Sequence, residues 1–550
     1  MNARIAALLP GPADYAGLAG SWRRDVVAGL TVGVVALPLA LAFGITSGLG
    51  ADAGLVTAIV AGLVAGVFGG SNVQVSGPTG AMTVVLVPLV ARHGIEAVFT
   101  VGILAGILIV AAGVAGFGRY LVFIPWPVIE GFTLGIAVII FLQQVPAALG
   151  VAKPEGENTA LVAARAVRAG FEGAGRWWAV VLVGVVVAVM VIAPRLHRGL
   201  PASLLAVMAA TVIAVAVDAP VSVIGELPSS LPSPSLPNLD PGLVSDLFGP
   251  VVAVAALGAL ESLLSAKVAD GMAGVGRHDP NRELIGQGLA NIASPLFGGM
   301  PATGAIARTA VNVKAGARTR LATIVHAVVL IVIVFAGSSL VARIPVAALA
   351  GVLMVTAVRM VEVHNIESIV RATRSDAVIL TLTAATTVAF DLILAVEVGM
   401  AAAALLALRQ LARTSAPVAE PLPLLDAGTA EELRAEKIVS YRLDGALFFG
   451  AVQRFLDELT SVGAVRVLIL RLPELQMLDA TGAQALGEMI DTLEARGITV
   501  LLKGPRPEHL RILEEVGAID RLGHENHLFT DLDDAIAHAR SHVERNPLPL

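Results

Sequence analysis

Two ionisable side chains stand where a bilayer would tolerate them least. Glu261 lies in Gly258-Ala259-Leu260-Glu261-Ser262-Leu263-Leu264-Ser265 and Arg308 in Ala305-Ile306-Ala307-Arg308-Thr309, both within long apolar runs. A charge at mid-membrane costs about 3 kcal/mol on insertion scales unless it is paired or hydrated, so such residues mark ion and substrate paths. A cation beside a helix N-terminus complements an anion, which is the chemistry Arg308 offers; its other reading is a structural ion pair. A carboxylate withdrawn from water near a cation can change its protonation state, as proton coupling requires. Glu261 fits that role and equally fits a constitutive partner for Arg308 or for Lys267, six residues farther along the chain. Ser265, one turn on, shares the Glu261 face and can offer a hydroxyl to an ion.

The segment that carries Arg308 has a counterpart. Phe68-Gly69-Gly70 precedes Ser76-Gly77-Pro78-Thr79-Gly80-Ala81, and Phe297-Gly298-Gly299 precedes Met300-Pro301-Ala302-Thr303-Gly304-Ala305, with the triplets 224 positions apart (303 minus 79). About two crossings precede the first triplet and about nine the second; an odd difference inverts the second unit relative to the first. Extended backbone broken by Pro and Gly is tolerated inside a membrane only where protein or a water-filled cavity covers it. Each triplet is therefore expected to open a half-helix at mid-membrane, and two facing N-termini would aim free N–H groups at one spot that prefers an anion. The competing reading is close helix packing, which Gly54, Ala58, Gly62, Gly66 and Gly70 also permit at i+4 spacing.

Long apolar elements must position these groups. Of 550 residues, 56% are hydrophobic and 15% charged, against roughly 25% charged in a soluble domain. The run from Val26 to Leu411 has room for about fourteen crossings, some short or broken, and a water-soluble enzyme is excluded. A net charge of −6 leaves no basic stripe for nucleic acid. The absence of cysteine removes disulfides and thiolate chemistry. No zinc pattern, phosphate loop or catalytic triad stands out, so no cofactor, metal or enzymatic activity is expected. Residues 1–24 read as a cytoplasmic lead-in without a removable signal, and 25–413 as the membrane domain. Arg and Lys in short loops put both termini on the cytoplasmic side. The acidic loop Glu226–Asp246 then lies opposite; the outer loop Ala152–Gly175, with Lys153, Arg165 and Arg168, fits that count least well. His326 reads as a packed residue, Gln143 and Gln144 as cavity-lining or helix-joining residues, and Asp391 and Glu397 as brackets of a late turn.

After Arg413 the composition shifts, with a linker at 414–437 and a small α/β domain at 438–550. Its expected elements are strand Ile438–Leu443, helix Gly450–Thr460, strand Val465–Leu470, helix Thr481–Arg496, strand Thr499–Lys503, and helices Pro507–Val516 and Asp531–His542. Asp479 reads as the N-cap of the helix that opens at Thr481.

Several of these stretches resemble the SulP anion transporter family: Val35-Ala36-Leu37-Pro38-Leu39-Ala40-Leu41-Ala42-Phe43-Gly44, Ser76 through Ala81, Pro125-Trp126-Pro127-Val128-Ile129-Glu130-Gly131-Phe132-Thr133, Glu283-Leu284-Ile285-Gly286-Gln287-Gly288-Leu289-Ala290-Asn291 and Thr303 through Asn312. Val467-Leu468-Ile469-Leu470 followed by Leu478-Asp479-Ala480-Thr481-Gly482 resembles a STAS domain. The resemblance implies a polytopic α-helical, uracil-permease-like fold of fourteen segments as a 7+7 inverted repeat, with core and gate domains, in a homodimer. It implies secondary active transport of small anions (sulfate, bicarbonate or dicarboxylate) by alternating access across the plasma membrane. The substrate would lie around Phe43, Thr79, Gly80, Ala81, Thr303, Gly304, Ala305, Ile306, Ala307 and Arg308, with Glu261 and Ser265 as the coupling groups. Members that use sodium tend to carry Asp where this chain has Glu261, which favours a proton here. Ala307 departs from many animal members, which place Ser before the Arg. Thr481 lies close to the position phosphorylated in related anti-sigma antagonists. Other readings are a nucleobase permease of the same fold, which would ordinarily offer a carboxylate where Arg308 stands, and a membrane-anchored STAS signalling protein.

Overall fold

The computed structural model describes residues 10–545, apart from 16, 120–123, 157, 172–176, 198–199, 227–229, 238–240, 274–276, 391, 415–416, 420–436, 448–464 and 525–526. The chain divides into two compact units, Met1–Met400 and Ala401–Leu550. Seven stretches of the first unit are long and apolar enough to cross a membrane. Such runs become helices because backbone groups in lipid must be satisfied within their own segment.

In chain order the first half holds α1 (Leu18–Ser47), α2 (Ala51–Phe68), β1 (Ser76–Gly77), α3 (Gly80–Val114), α4 (Trp126–Ala148), α5 (Thr159–Phe171), α6 (Trp177–Leu196) and α7 (Ala202–Ala216). A short α8 (Pro241–Asp246) leads to the second half: α9 (Phe248–Ala273), α10 (Pro280–Leu296), β2 (Thr303–Gly304), α11 (Ile306–Lys314), α12 (Leu321–Val341), α13 (Val346–Met360), α14 (Val363–Ala372), α15 (Arg374–Ala389) and α16 (Leu392–Thr414). Helix α3 breaks at Gly94, where φ is +79°. With that break the halves match one to one: α1 with α9, α2 with α10, β1 and the start of α3 with β2 and α11, and the rest of α3 with α12. The series closes with α4 and α13, α5 and α14, α6 and α15, α7 and α16. Each half thus contains seven membrane segments and one amphipathic helix, α5 or α14, as the inverted repeat requires.

The outer loop expected at Ala152–Gly175 is largely the helix α5, which buries Val162, Ala163 and Ala166 and exposes Arg165 and Arg168. An amphipathic helix keeps its cations at a surface, so the charge of this stretch reflects its polar face. The helices form two packing groups. One contains α1, α2, α3, α9, α10, α11 and α12, and the other α4, α6, α7, α13 and α15; they meet where α1 touches α7 and α13 and where α3 touches α4. Small residues hold the first group close: a Cβ on Gly54 would lie 2.0 Å from the Ala40 carbonyl, and one on Gly70 2.0 Å from that of Asp279.

The lead-in is tied to this group. Arg282 donates to both Asp14 oxygens at 2.7 and 2.8 Å. That bond holds the Asp14 carboxyl at about 2. A depressed folded-state value means that the stabilisation is complete above the ordinary carboxylate range and is lost progressively as pH falls from that range through about 2. The buried carboxylate of Asp25 accepts from the Arg318 and Thr319 N–H groups at 2.6 and 3.0 Å.

The second unit is a five-stranded sheet in the order β3 (Pro417–Ala419), β4 (Ile438–Leu443), β6 (Val467–Arg471), β8 (Thr499–Lys503) and β9 (Leu528–Phe529). The last four strands are parallel, and β3 pairs antiparallel to β4. A separate parallel pair joins β5 (Gly445–Leu447) to β7 (Leu475–Leu478). Side chains alternate across a strand. Leu468 and Leu470 accordingly pack with Leu486, Met489 and Leu493 of α17 (Ala480–Ala495) and Leu513 of α18 (Pro507–Glu515), while Val467 and Ile469 pack with Ala535, Ile536 and Ala539 of α19 (Leu532–Arg545). The expected strand at Val465 starts two residues later, and the expected helix Gly450–Thr460 lies outside the described residues. The strands β3, β5, β7 and β9 have two to four residues each, too short to leave a periodic signal.

Candidate functional site

The two halves join through their broken segments. Strands β1 and β2 pair antiparallel, Ser76 opposite Gly304 and Gly77 opposite Thr303. Pro78 and Pro301 offer no N–H to a helix, and at Gly77 (φ +155°) a Cβ would lie 2.6 Å from Arg308 Nη1. Amide and hydroxyl side chains meet the remaining backbone groups. Gln287 Nε2 and Asn291 Nδ2 donate to the Ala302 carbonyl at 2.8 and 2.9 Å, and Ala302 N–H donates to Asn291 Oδ1 at 2.9 Å. Ser76 Oγ donates to Gln287 Oε1 at 2.9 Å, Val75 N–H to Thr309 Oγ1 at 3.0 Å, and Asn312 Nδ2 to the Val73 carbonyl at 2.8 Å. A frame of this kind is what non-helical backbone needs at membrane depth.

From this frame two helices start. Thr79 caps α3, accepting from Met82 N–H at 3.4 Å, and Ala305 is the extended residue before α11. The Thr79 and Thr303 hydroxyl oxygens are 3.0 Å apart, and both bond Glu261 Oε2, at 3.0 and 2.6 Å. The two triplets are thus in contact at one carboxylate of α9. The expectation narrows at the second tip. Gly304 N–H donates to Ser262 Oγ at 3.0 Å and Ala305 N–H to the Val75 carbonyl at 2.9 Å, so neither is free for a ligand. The first-turn N–H groups without an intrahelical acceptor are those of Gly80 and Ala81 in α3 and of Ile306, Ala307 and Arg308 in α11. Ile306 and Ala307 are exposed, while Arg308 is 2% exposed.

Arg308 crosses to the other repeat and donates from Nη2 to the Pro78 carbonyl, while Nη1 has no hydrogen-bond partner within the protein. Among the described residues no ion pair within 4 Å joins Glu261 to Arg308 or Lys267; the carboxylate is held by hydroxyls. Ser265 bonds the Thr309 hydroxyl at 3.1 Å and thereby braces α11. Phe43 packs on the α3 tip, where a Cβ on Gly80 would lie 3.2 Å from its ring and 2.1 Å from Ile140.

A cavity of about 650 Å³ lies between the two helix groups. Ala42 and Thr46 of α1, Gln143 and Gln144 of α4, Lys153, and Ala347 and Ala350 of α13 are among its lining residues. Gln144 also bonds the Thr46 hydroxyl at 3.3 Å, so it joins helices as well as lining the cavity, while Gln143 lines it. Neither Glu261 nor Arg308 borders this space. His326 is fully buried, and neither ring nitrogen has a hydrogen-bond partner. Glu397 lies within α16 rather than at a turn, and Asp391 lies outside the described residues. Asp479 caps α17 by accepting from Gly482 N–H at 2.7 Å, which leaves Thr481 exposed in the first helical turn.

Gln287, Asn291, Thr309, Asn312 and Ser262 carry the frame but had no role assigned from sequence. Gln287 and Asn291 at i and i+4, with only Gly, Leu and Ala between them, are the signal that was available, since buried amides need partners.

Comparison with known proteins places the chain in a family. The model of the sulfate permease family matches residues 22–383, and that of the STAS domain matches 431–535. The Bacillus subtilis (strain 168) protein named "Putative sulfate transporter YvdB" is 34% identical over 93% of this chain and 97% of its own length. The bicarbonate transporter BicA of Synechocystis sp. is 31% identical over 94% of each chain. The structure of the murine Slc26a9 anion transporter in its inward-facing state superposes with a TM-score of 0.82 at 17% identity, covering 98% of this chain and 95% of that one, a likeness of fold.

Replacing Asn291 by Ala would leave the N–H and one acceptor site of Ala302 unpaired. Orphaned buried groups cost about 1–3 kcal/mol, so the thermal midpoint of the purified protein should fall below that of the wild type; an unchanged midpoint would show that other groups hold the β2 segment.

Proposed function

Since this chain belongs to the sulfate permease family, we propose that it carries a small oxyanion, sulfate or bicarbonate, between the first turns of α3 and α11 and in front of Arg308. Arg308 is the observation that carries this reading. Its guanidinium is 2% exposed, one amine is spent on the Pro78 carbonyl, and Nη1 has no partner in the protein. A buried cation with a spare donor beside two helix N-termini is stabilised by an anion. Sulfate and bicarbonate are the substrates in the names of the two relatives, and both are oxyanions that N–H groups and a guanidinium can hold. The same cation disfavours a nucleobase.

Alternating access is supported by the division of the helices into two packing groups, with the site wholly inside one of them and a cavity at their boundary. Rocking one group against the other would expose the fixed tips to either side in turn. Membrane insertion follows from the family; a plasma-membrane location, cytoplasmic termini, a homodimeric assembly and a phosphate acceptor at Thr481 belong to this proposal.

Coupling to a proton is supported by counting hydrogens. Glu261 Oε2, Thr79 Oγ1 and Thr303 Oγ1 form a triangle with edges of 3.0, 2.6 and 3.0 Å. Two hydroxyl protons cannot fill three edges; one more proton, on the carboxylate, gives each edge its own. We therefore assign proton transfer to Glu261, ahead of sodium, with Ser265 acting indirectly through Thr309.

Arg308→Ala is expected to abolish sulfate and bicarbonate uptake into proteoliposomes while the protein stays monodisperse; unchanged uptake would remove Arg308 from the site. Glu261→Gln should lose stimulation by an imposed proton gradient and keep anion exchange. A Glu261→Gln protein with wild-type pH dependence would refute coupling through this residue.

A further inference from the structure

The second unit gathers three histidines for which the transport site has no use. His538 and His542 lie one turn apart on α19 and therefore share a face, and His527 precedes β9 directly. Their Nε2 atoms converge: His527 lies 3.3 Å from His542, and His542 lies 3.2 Å from His538. One ligating nitrogen from each of the three falls within 4.8 Å of the other two. The rings stand edge to face, with centroids 5.1 Å apart for His527 and His542 and 4.9 Å for His538 and His542, and Phe529 covers His538 at 5.3 Å. His527 is 3% exposed, and the other two are partly buried.

Hydrogen bonding among the rings does not account for this arrangement. A neutral imidazole Nε2 carries either a proton or a lone pair. His542 Nε2 stands between the other two and has one proton or one lone pair to divide between both contacts, so only one of them can be a well-aligned hydrogen bond. A single cation at the centre accepts all three lone pairs together. Tetrahedral ligation by imidazole at 2.0–2.1 Å requires nitrogens about 3.3–3.4 Å apart, and the two short edges of 3.3 and 3.2 Å match that spacing. Three histidines also suit zinc, or a neighbouring divalent first-row metal, better than magnesium or calcium, which prefer oxygen. The chain has no cysteine, so no thiolate competes for such an ion.

We propose that His527, His538 and His542 form a binding site for a divalent zinc-class cation that clamps the segment before β9 to α19, leaving a fourth coordination position for water or an incoming ligand. The clamp joins the edge strand of the sheet to the last described helix, beside the apolar cluster in which Phe529 packs with Leu532, Ala535, Ile536 and Ala539.

The test uses the full chain, purified with a tag that lacks histidine, stripped with chelator and titrated with Zn²⁺ or Co²⁺. One zinc per chain and the visible absorption of tetrahedral Co²⁺ are expected, with affinity reduced more than about tenfold in both His538→Gln and His542→Gln. His364→Gln, in the first unit, should leave affinity unchanged. Substoichiometric zinc in the wild type, a pale octahedral Co²⁺ spectrum, or wild-type affinity in His542→Gln would overturn the site. If a variant misfolds, amide exchange of the wild type decides: zinc should slow exchange across residues 527–545, and no local slowing would reject the clamp.

Discussion

Non-helical backbone within a bilayer must find every hydrogen bond inside the protein, and the pairing of Ser76–Gly77 with Thr303–Gly304 is how this chain meets that constraint. Neither strand could exist alone: each has two residues, and each closes the ladder of the other. Gln287, Asn291, Thr309 and Asn312 supply the partners that the ladder lacks. The arrangement depends on inversion, since two segments related by an axis in the membrane plane meet antiparallel at that axis.

Once the strands are paired, the positions of the tips follow. Helices α3 and α11 must start within a few residues of the ladder, which brings the Thr79 and Thr303 hydroxyls to 3.0 Å and places Glu261 against both. Arg308, one turn into α11, then reaches the opposite strand and ties the repeats together through the Pro78 carbonyl. The same contact that stabilises the junction holds its positive charge beside the free N–H groups. Structure and electrostatics therefore share one residue, and a substitution there is best judged with folding and transport measured separately.

The residues that announced themselves in the sequence were those that a membrane makes expensive or a helix cannot use. Glu261 and Arg308 stood out as charges in apolar runs, and Gly80 and Gly304 as breaks 224 positions apart (304 minus 80), each with a proline, Pro78 or Pro301, shortly before it. What tertiary contact decides was not legible. The N–H groups of Gly304 and Ala305 look free along the chain but are spent on Ser262 and Val75. Arg308 turns toward a carbonyl that the inverted partner brings within reach, and the stretch around Arg165 folds as an amphipathic helix. The histidine cluster was equally hidden, because His527 and His538 are brought together by the sheet rather than by a recognisable spacing.

The central claim is that the tips touch and that an anion lies against them. This cysteine-free chain allows a direct test: Thr79→Cys combined with Thr303→Cys in native membranes, with the rate of disulfide formation under mild oxidant followed with and without saturating sulfate or bicarbonate. Rapid cross-linking that an anion slows is the predicted result. Failure of the pair to cross-link, or a rate indifferent to both anions, would contradict the account.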